Sequence, residues 1–468
     1  MRHMNIAMVI EMAADGMGDR RAIGSLTYEQ VRAEARAVAK RLAADAPEAT
    51  TLASLLPNGD HLPVALFGAA WAGVAYAPLN FRLPEATRVE LLARLEPAAR
   101  FDQSWMKEGD VGDNSPYVEE PDRPAVLLFT SGTSAAPKTA VLQHDNLTAY
   151  LFNTLEFAGA SEEEAALLAV PPFHVAGVAA VLSSTYVGRR LVPMARFDAH
   201  DWLRLANEES VTHAFVVPTM LARIVAALEA DRRRPPSLRS LAYGGARMPG
   251  PVLERALELL PDVDFVNAYG LTETSSTVAV LGPQDHRDAV TSDDPVVRRR
   301  LESCGRAVPG VEFAIVDGEV WIRGDQVGGG YVGMESQVDD EGWLHTGDQG
   351  YLDDDGYVFV LGRADDVIIR GGENLSPSEI EDALLRHPTV VGAAVVGLPD
   401  AEWGERVAAM VTLRPGSGAV DPADLRDWAR QQLGSIKTPE LIVVADELPQ
   451  TPTGKVLRRI VKEQLEKQ

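Results

Sequence analysis

Apolar and polar positions follow two rhythms along this chain, one helical and one strand-like. The segment LTYEQVRAEARAVAKRLAA (26–44) spaces its apolar residues three and four apart, which predicts an amphipathic helix. TLASLLPN (51–58) reads as a short buried strand ending in a turn. LPVALFGAAWAGVAYAPLN (62–80) predicts a helix running into a strand, with Gly73 as the break. RLPEATRVELLARLEP (82–97) predicts a further helix, opened by Pro84 near its first turn. VLLFTS (126–131) is a buried strand that delivers a loop at its C-terminal end, where α/β sheets hold their ligands.

The rhythm returns in SVTHAFVVPTMLARIVAALEA (210–230), SLRSLAYGGARMPGPVLERALELL (237–260) and DVDFVNAYGLTE (262–273). These are strand–loop–helix units, so helices should cover a largely parallel sheet. The charged stretch from Asp231 to Arg239 is expected to be a solvated loop. From about Ser303 the pattern changes to short strands with turns between them, VEFAIVDGEVWIRG (311–324) and YLDDDGYVFVLGR (351–363), a small β-barrel-like subdomain. After Asp366 comes a compact α+β segment. It has a strand VIIRGG, a helix SPSEIEDALLRH, strands TVVGAAVVGLP and RVAAMVTLRP, a helix DPADLRDWARQQL and a basic terminal helix. The fold class expected is α/β. A large N-terminal domain of layered, mostly parallel sheets with helices spans 1–363 and includes the β-subdomain at about 303–363; a small α+β domain spans 364–468.

Composition narrows the function. Apolar content of 46% and charged content of 24% are those of a globular protein. No stretch approaches the ~20 consecutive apolar residues of a membrane span, and residues 1–16 are too weakly apolar for a signal peptide, so a cytoplasmic location is expected. The single Cys304 excludes an intrachain disulfide framework and a cysteine-rich metal site. A net charge of −24 argues against nucleic-acid or membrane partners, which attract basic surfaces. Only seven lysines are present; Lys138 and Lys455 fall inside the segments singled out below, and Lys437 stands in SIKTP (435–439).

Four segments carry candidate chemistry. FTSGTSAAPKTA (129–140) follows a strand, and its hydroxyls, backbone N–H groups and small residues can wrap a triphosphate. NAYGLTETSS (267–276) ends a predicted strand in a threonine and a carboxylate, and Mg²⁺ prefers carboxylate and phosphate oxygens. HTGDQGYLDDDGYVFVLGRADD (345–366) offers a carboxylate and an arginine, and TPTGKVLRR (451–459) a lysine. Apart from these four, PPFHVAGVAA (171–180) sets a histidine before small residues that can line a pocket.

In this order and at these separations the segments resemble the adenylate-forming enzymes, a family that includes acyl-CoA synthetases, firefly luciferase and nonribosomal-peptide adenylation domains. The resemblance covers nearly the whole chain, and the C-terminal third is most similar to acyl-CoA and aryl-CoA ligases. It implies ATP, Mg²⁺ and CoA, and it implies a role for each matching residue. Thr130, Ser131, Gly132, Thr133, Ser134 and Lys138 would hold phosphates. Gly245, Ala246 and Arg247 would line one side of the adenine, with Asn267, Ala268, Tyr269 and Gly270 on the other. Thr272 would bond the α-phosphate and Glu273 would hold Mg²⁺. Asp348 would accept from the ribose hydroxyls and Arg363 would donate to ribose or phosphate. His174 would sit beside the acid and shift between half-reactions; a general-base role is not expected, because the acid is already ionised at neutral pH. Asp365 matches the hinge about which a mobile C-terminal domain rotates. Gly371 and Gly372 would let the pantetheine arm pass, Trp403 would stack on the CoA adenine or serve as a core residue, and Lys437 would meet a CoA phosphate. Lys455 would bridge the acid and the α-phosphate during adenylation.

The family's phosphate loop carries glycine where this chain has Ala135 and Thr139, a departure that costs on the order of 1 kcal/mol if the position needs φ > 0. Val175, Ala176, Gly177, Val178, Ala268, Leu271 and Val278 are the acid-pocket candidates, and they favour a hydrophobic acid. Ala268 stands where dicarboxylate-specific members tend to carry arginine, with Arg223 leaving a second carboxylate open. The function expected is an ATP-dependent acyl-CoA synthetase. The alternatives are an enzyme of one half-reaction, delivery to a carrier protein, and a luciferase-like oxygenase. A non-catalytic scaffold would tolerate the loss of Lys455, Glu273 or Asp348, and all three are present. A homodimer stays open.

Overall fold

The structure is a computed structural model that describes residues 4–106, 116–118, 123–130, 137–231, 233–363, 366–414, 416–418, 420–451 and 456–468. Ser131, Gly132, Thr133, Ser134, Ala135, the expected hinge residue Asp365 and Lys455 lie outside the described residues.

Two large sheets organise the N-terminal part. Among the described residues the first has nine strands. Its centre is parallel, running through Asp264–Leu271, Ser240–Gly244, His213–Val216, Ala165–Leu168, Arg190–Pro193 and Arg21–Ile23. Antiparallel strands close both edges. The second sheet has six strands, with Pro124–Thr130, Ala75–Pro78, Thr51–Ser54 and Ala98–Phe101 in parallel register. Lys138–Gln143 returns antiparallel to Pro124–Thr130, and Gly330–Tyr331 adds to its outer edge. The helical units expected at 210–230 and 237–260 are present as Pro218–Asp231 and Gly250–Leu259.

The main core forms where three helices meet: Ala7–Met17, His61–Trp71 and Val175–Val187. Every residue of His61–Trp71 is buried, which suits a segment that is apolar all round. Tyr28–Asp45 packs against it and starts with a reciprocal cap, in which Thr27 and Gln30 satisfy each other's backbone N–H groups. Helix Ala7–Met17 was not legible in the sequence. Six of its residues are buried, so it lacks a polar face long enough to mark a helical period.

A third, antiparallel sheet joins Val311–Val316, Glu319–Gly324, Leu344–Leu352 and Val358–Arg363. The fourth contains Ile368–Arg370, Glu373–Leu375, Val390–Asp400, Gly404–Leu413 and Leu441–Val444, covered by helices Pro377–Leu385, Pro422–Leu433 and Arg458–Leu465. Among the described residues no helix is long and apolar enough to cross a membrane.

Candidate active site

The site is built where strand Asp264–Leu271 of the first sheet runs out beside the third. A bulge lies between Tyr269 and Gly270, followed by a single 3-10 turn, Thr272–Thr274. The Tyr269 hydroxyl donates to Asp348 Oδ2 at 2.7 Å. Arg363 Nε lies 3.1 Å from Asp348 Oδ1, and its guanidinium also donates to the Thr346 carbonyl. Asp348 and Arg363 face each other across paired strands, which sets this contact by register. Asp348 is only 6% exposed, so its charge is stabilised by these two donors. Burial and the Asp348 charge hold the Tyr269 phenol well above its ordinary range, so it stays a neutral donor. The half-buried Cys304 thiol is pushed up to about 12 by burial and the same carboxylate, which leaves it protonated and unreactive.

Glu273 lies in the 3-10 turn. Its backbone carbonyl accepts from the N–H groups of Gly328 and Gly329, at 2.9 and 3.0 Å, and its Oε1 accepts from the Tyr331 hydroxyl. The other carboxylate oxygen has no hydrogen bond to a described residue. Among the described residues no group of three or more acidic, histidine or cysteine side chains gathers into a metal cage. One carboxylate beside a phosphate-binding loop is the donor set that suits Mg²⁺, which draws its remaining ligands from phosphate and water.

Thr130 and Lys138 are register partners at the two ends of the phosphate loop. Lys138 Nζ lies 5.6 Å from the centre of the Tyr331 ring. Arg94, absent from the sequence reading, donates to the Pro137 carbonyl at 2.8 Å and to the Thr139 hydroxyl at 3.1 Å, fixing the loop's exit. Thr139 is a buried residue of an extended strand, not a left-handed turn, so this departure from glycine carries no backbone strain.

Gly245, Ala246 and Arg247 form the exposed turn after Ser240–Gly244. Arg247 reaches the C-terminal part, pairing with Asp382 at 2.7 Å and donating to the Ser378 carbonyl at 3.2 Å. Asn267 donates to the Ser303 carbonyl at 2.9 Å, so its amide anchors the chain entering the third sheet. Ala268 and Leu271 are half-buried on the same strand as Tyr269.

His174 precedes the first turn of helix Val175–Val187, and burial followed by the Arg82 charge lowers its pKa to about 4. It is therefore neutral at pH 7. Phe173 packs between His174 and Phe81, with ring centres 4.9 and 5.9 Å away. Three acid-pocket expectations need correction. Val178 belongs to the main core and Val278 to the core of the third sheet, at 2% and 0% exposure, so neither offers surface to a pocket. At Gly177 a Cβ would stand 2.6 Å from the Pro171 carbonyl oxygen, so this glycine serves helix packing. Val175 and Ala176 remain half-buried at the helix start. Arg223 is exposed on helix Pro218–Asp231.

In the C-terminal part Gly371 and Gly372 make the turn between Ile368–Arg370 and Glu373–Leu375, at φ 59° and 85°. The Gly371 N–H donates to the Trp403 carbonyl at 2.8 Å, and a Cβ on Gly371 would meet the Trp403 ring at 2.9 Å. Trp403 is 43% exposed, which rules out a core role. Lys437 is paired with Glu379, at 2.6 and 2.7 Å, so a CoA phosphate would have to compete with that carboxylate. Tyr331 stands in none of the segments quoted from the sequence; the signal for it there is the glycine run ahead of it, Gly328 to Gly330.

Residues 10–332 match the family model described as AMP-binding enzyme, and residues 379–455 match the one described as AMP-binding enzyme C-terminal domain. The chain belongs to the AMP-binding enzymes. Its AMP-binding relatives include the fatty acid–[acyl-carrier-protein] ligase ScoC of Streptomyces coeruleorubidus, 33% identical over 94% of this chain and 91% of that one. The 2-succinylbenzoate–CoA ligase of Bacillus cereus is 31% identical over 89% and 88%. Among solved structures, the o-succinylbenzoate CoA synthetase of Bacillus subtilis superposes with a TM-score of 0.82 at 29% identity, covering 97% of each chain. It was solved in complex with the acyl-adenylate intermediate OSB-AMP and, separately, with ATP and magnesium ion.

Proposed function

We propose that this chain is an ATP-dependent acyl-CoA synthetase, in which a hydrophobic carboxylate attacks the α-phosphorus of ATP to give acyl-AMP and pyrophosphate. CoA thiolate then attacks the acyl carbonyl and AMP leaves. The observation that carries the reading is the joined set Tyr269–Asp348–Arg363, a buried carboxylate held between a phenol and a guanidinium, together with the Glu273 carboxylate held by Tyr331. Mg²⁺ carried with ATP would neutralise charge on the triphosphate, and Glu273 is the residue to hold it. Lys138 and Thr130 bracket the phosphate loop, and Lys455 is assigned the α-phosphate.

The N-terminal domain is taken to end at 363, with the hinge near Asp365 and the mobile domain from 364 to 468. Rotation about Asp365 would withdraw Lys455 and present the Gly371–Gly372 turn, with Trp403 beside it for the CoA adenine. The enzyme acts in the cytoplasm on small molecules. Lys455→Ala tests the division of labour. It should suppress acyl-AMP formation by orders of magnitude and spare thioester formation from supplied acyl-AMP; equal loss of both steps would overturn the assignment.

A second reading concerns the acid. The Arg82 charge acts on His174, so a cation stands near the residue assigned to the acid. The Bacillus cereus relative acts on 2-succinylbenzoate. Arg82→Ala separates the cases: a selective rise in KM for keto-dicarboxylates over monocarboxylates favours this second acid class, and an equal effect on both removes it.

A further inference from the structure

We propose that Tyr331 is a positioning residue for the Glu273 carboxylate and, through it, for the metal ion that travels with ATP. The inference rests on the reading of this cleft as an adenylation site. Tyr331 sits on the edge strand Gly330–Tyr331, which pairs with Lys138–Gln143, the strand that leaves the phosphate loop. The register sets Tyr331 opposite Ala140, and the Val332 N–H donates to the Thr139 carbonyl at 2.9 Å. The side chain is only 8% exposed. Its hydroxyl donates to Glu273 Oε1, and Lys138 Nζ lies 5.6 Å from the centre of its ring. One phenol therefore joins the strand that leaves the phosphate loop to the metal-binding carboxylate.

The chemistry follows from the donor set. Glu273 must present one oxygen to the metal, and among the described residues no group of three or more acidic, histidine or cysteine side chains forms a cage there. A free glutamate side chain samples several rotamers, and fixing it costs entropy on binding. The Tyr331 hydroxyl occupies Oε1 and leaves the other oxygen open to the metal. The backbone is held as well, because the glycines just before Tyr331 donate to the Glu273 carbonyl. The interaction partner this chain builds for is thus a hard divalent cation on a nucleoside triphosphate.

Tyr331→Phe removes the hydroxyl and keeps the ring against Lys138. The probe is Mn²⁺ with the non-hydrolysable analogue AMPCPP, read by electron paramagnetic resonance, alongside calorimetric binding of AMPCPP in EDTA. Affinity for the metal-loaded analogue should fall about tenfold, or about 1.4 kcal/mol, with metal-free affinity unchanged. The apparent KM for Mg²⁺ in pyrophosphate release should rise by a similar factor, and thioester formation from supplied acyl-AMP should not change. Equal loss of metal-loaded and metal-free binding would make Tyr331 a merely structural residue and overturn the inference, as would unchanged metal dependence. If the unaltered protein binds neither form of the nucleotide, the adenylation reading itself fails.

Discussion

The Tyr269 hydroxyl and the Asp348 carboxylate meet at 2.7 Å across the junction of the first and third sheets. Neither strand alone makes a nucleotide site; the contact fixes an aromatic face beside a buried acceptor. Asp348→Ala removes the acceptor and leaves Arg363 without its partner. It should lower kcat/KM for ATP by about 100-fold or more, whereas Tyr269→Phe, which keeps the ring, should lose about tenfold or less. Pyrophosphate release as a function of ATP concentration reads both.

Trp403 lies exposed over the Gly371 turn. As an adenine platform it should contribute about 1–3 kcal/mol of stacking. Trp403→Ala is therefore expected to raise KM for CoA about tenfold or more while acid-dependent pyrophosphate release without CoA stays unchanged. A matching loss in both steps, with a lower melting temperature, would assign the ring to packing instead.

Thr139 occupies a strand position where the family carries glycine. Restoring that glycine should not improve adenylation. Thr139→Gly would free the extended backbone and remove the acceptor for Arg94, costing about 1–2 kcal/mol of stability. Urea unfolding together with KM for ATP tests this; a tighter KM for ATP in the variant would show that the threonine does impair the loop.

Three histidines, His144, His174 and His213, have their pKa lowered from 6.5 to about 4, each mainly by burial. The unfolded chain takes up their protons first as pH falls, so the stability they contribute is complete above the unfolded value of 6.5 and is lost progressively down to about 4. Urea midpoints at pH 7, 6, 5 and 4.5 should decline through this window, and less steeply in His174→Phe. The rate of pyrophosphate release should show no His174 titration at or above neutral pH.

Much of this site could be read from residue order, because Tyr269, Glu273, Asp348 and Arg363 each stand in a short segment whose chemistry is local. What could not be read depends on partners distant in the chain. Tyr331 gains its role by pairing with the strand after the phosphate loop. Val278 was assigned to the acid pocket for its size and position, but the pleat turns it into the third-sheet core. Arg223 and Lys437 carry the right charge for an anion, yet the first lies exposed on its helix and the second is held by Glu379. Helix Ala7–Met17 escaped because a segment buried on most sides shows little periodicity.

The most direct test is pyrophosphate release with MgATP across aryl, alicyclic, fatty and keto-dicarboxylic acids, with and without CoA, with thioester products identified by mass spectrometry. The proposed function predicts release that depends on the acid and yields acyl-CoA when CoA is present. Release that yields acyl-AMP but no acyl-CoA, with thioester forming only on a carrier protein's phosphopantetheine, would contradict it, as would no release with any acid.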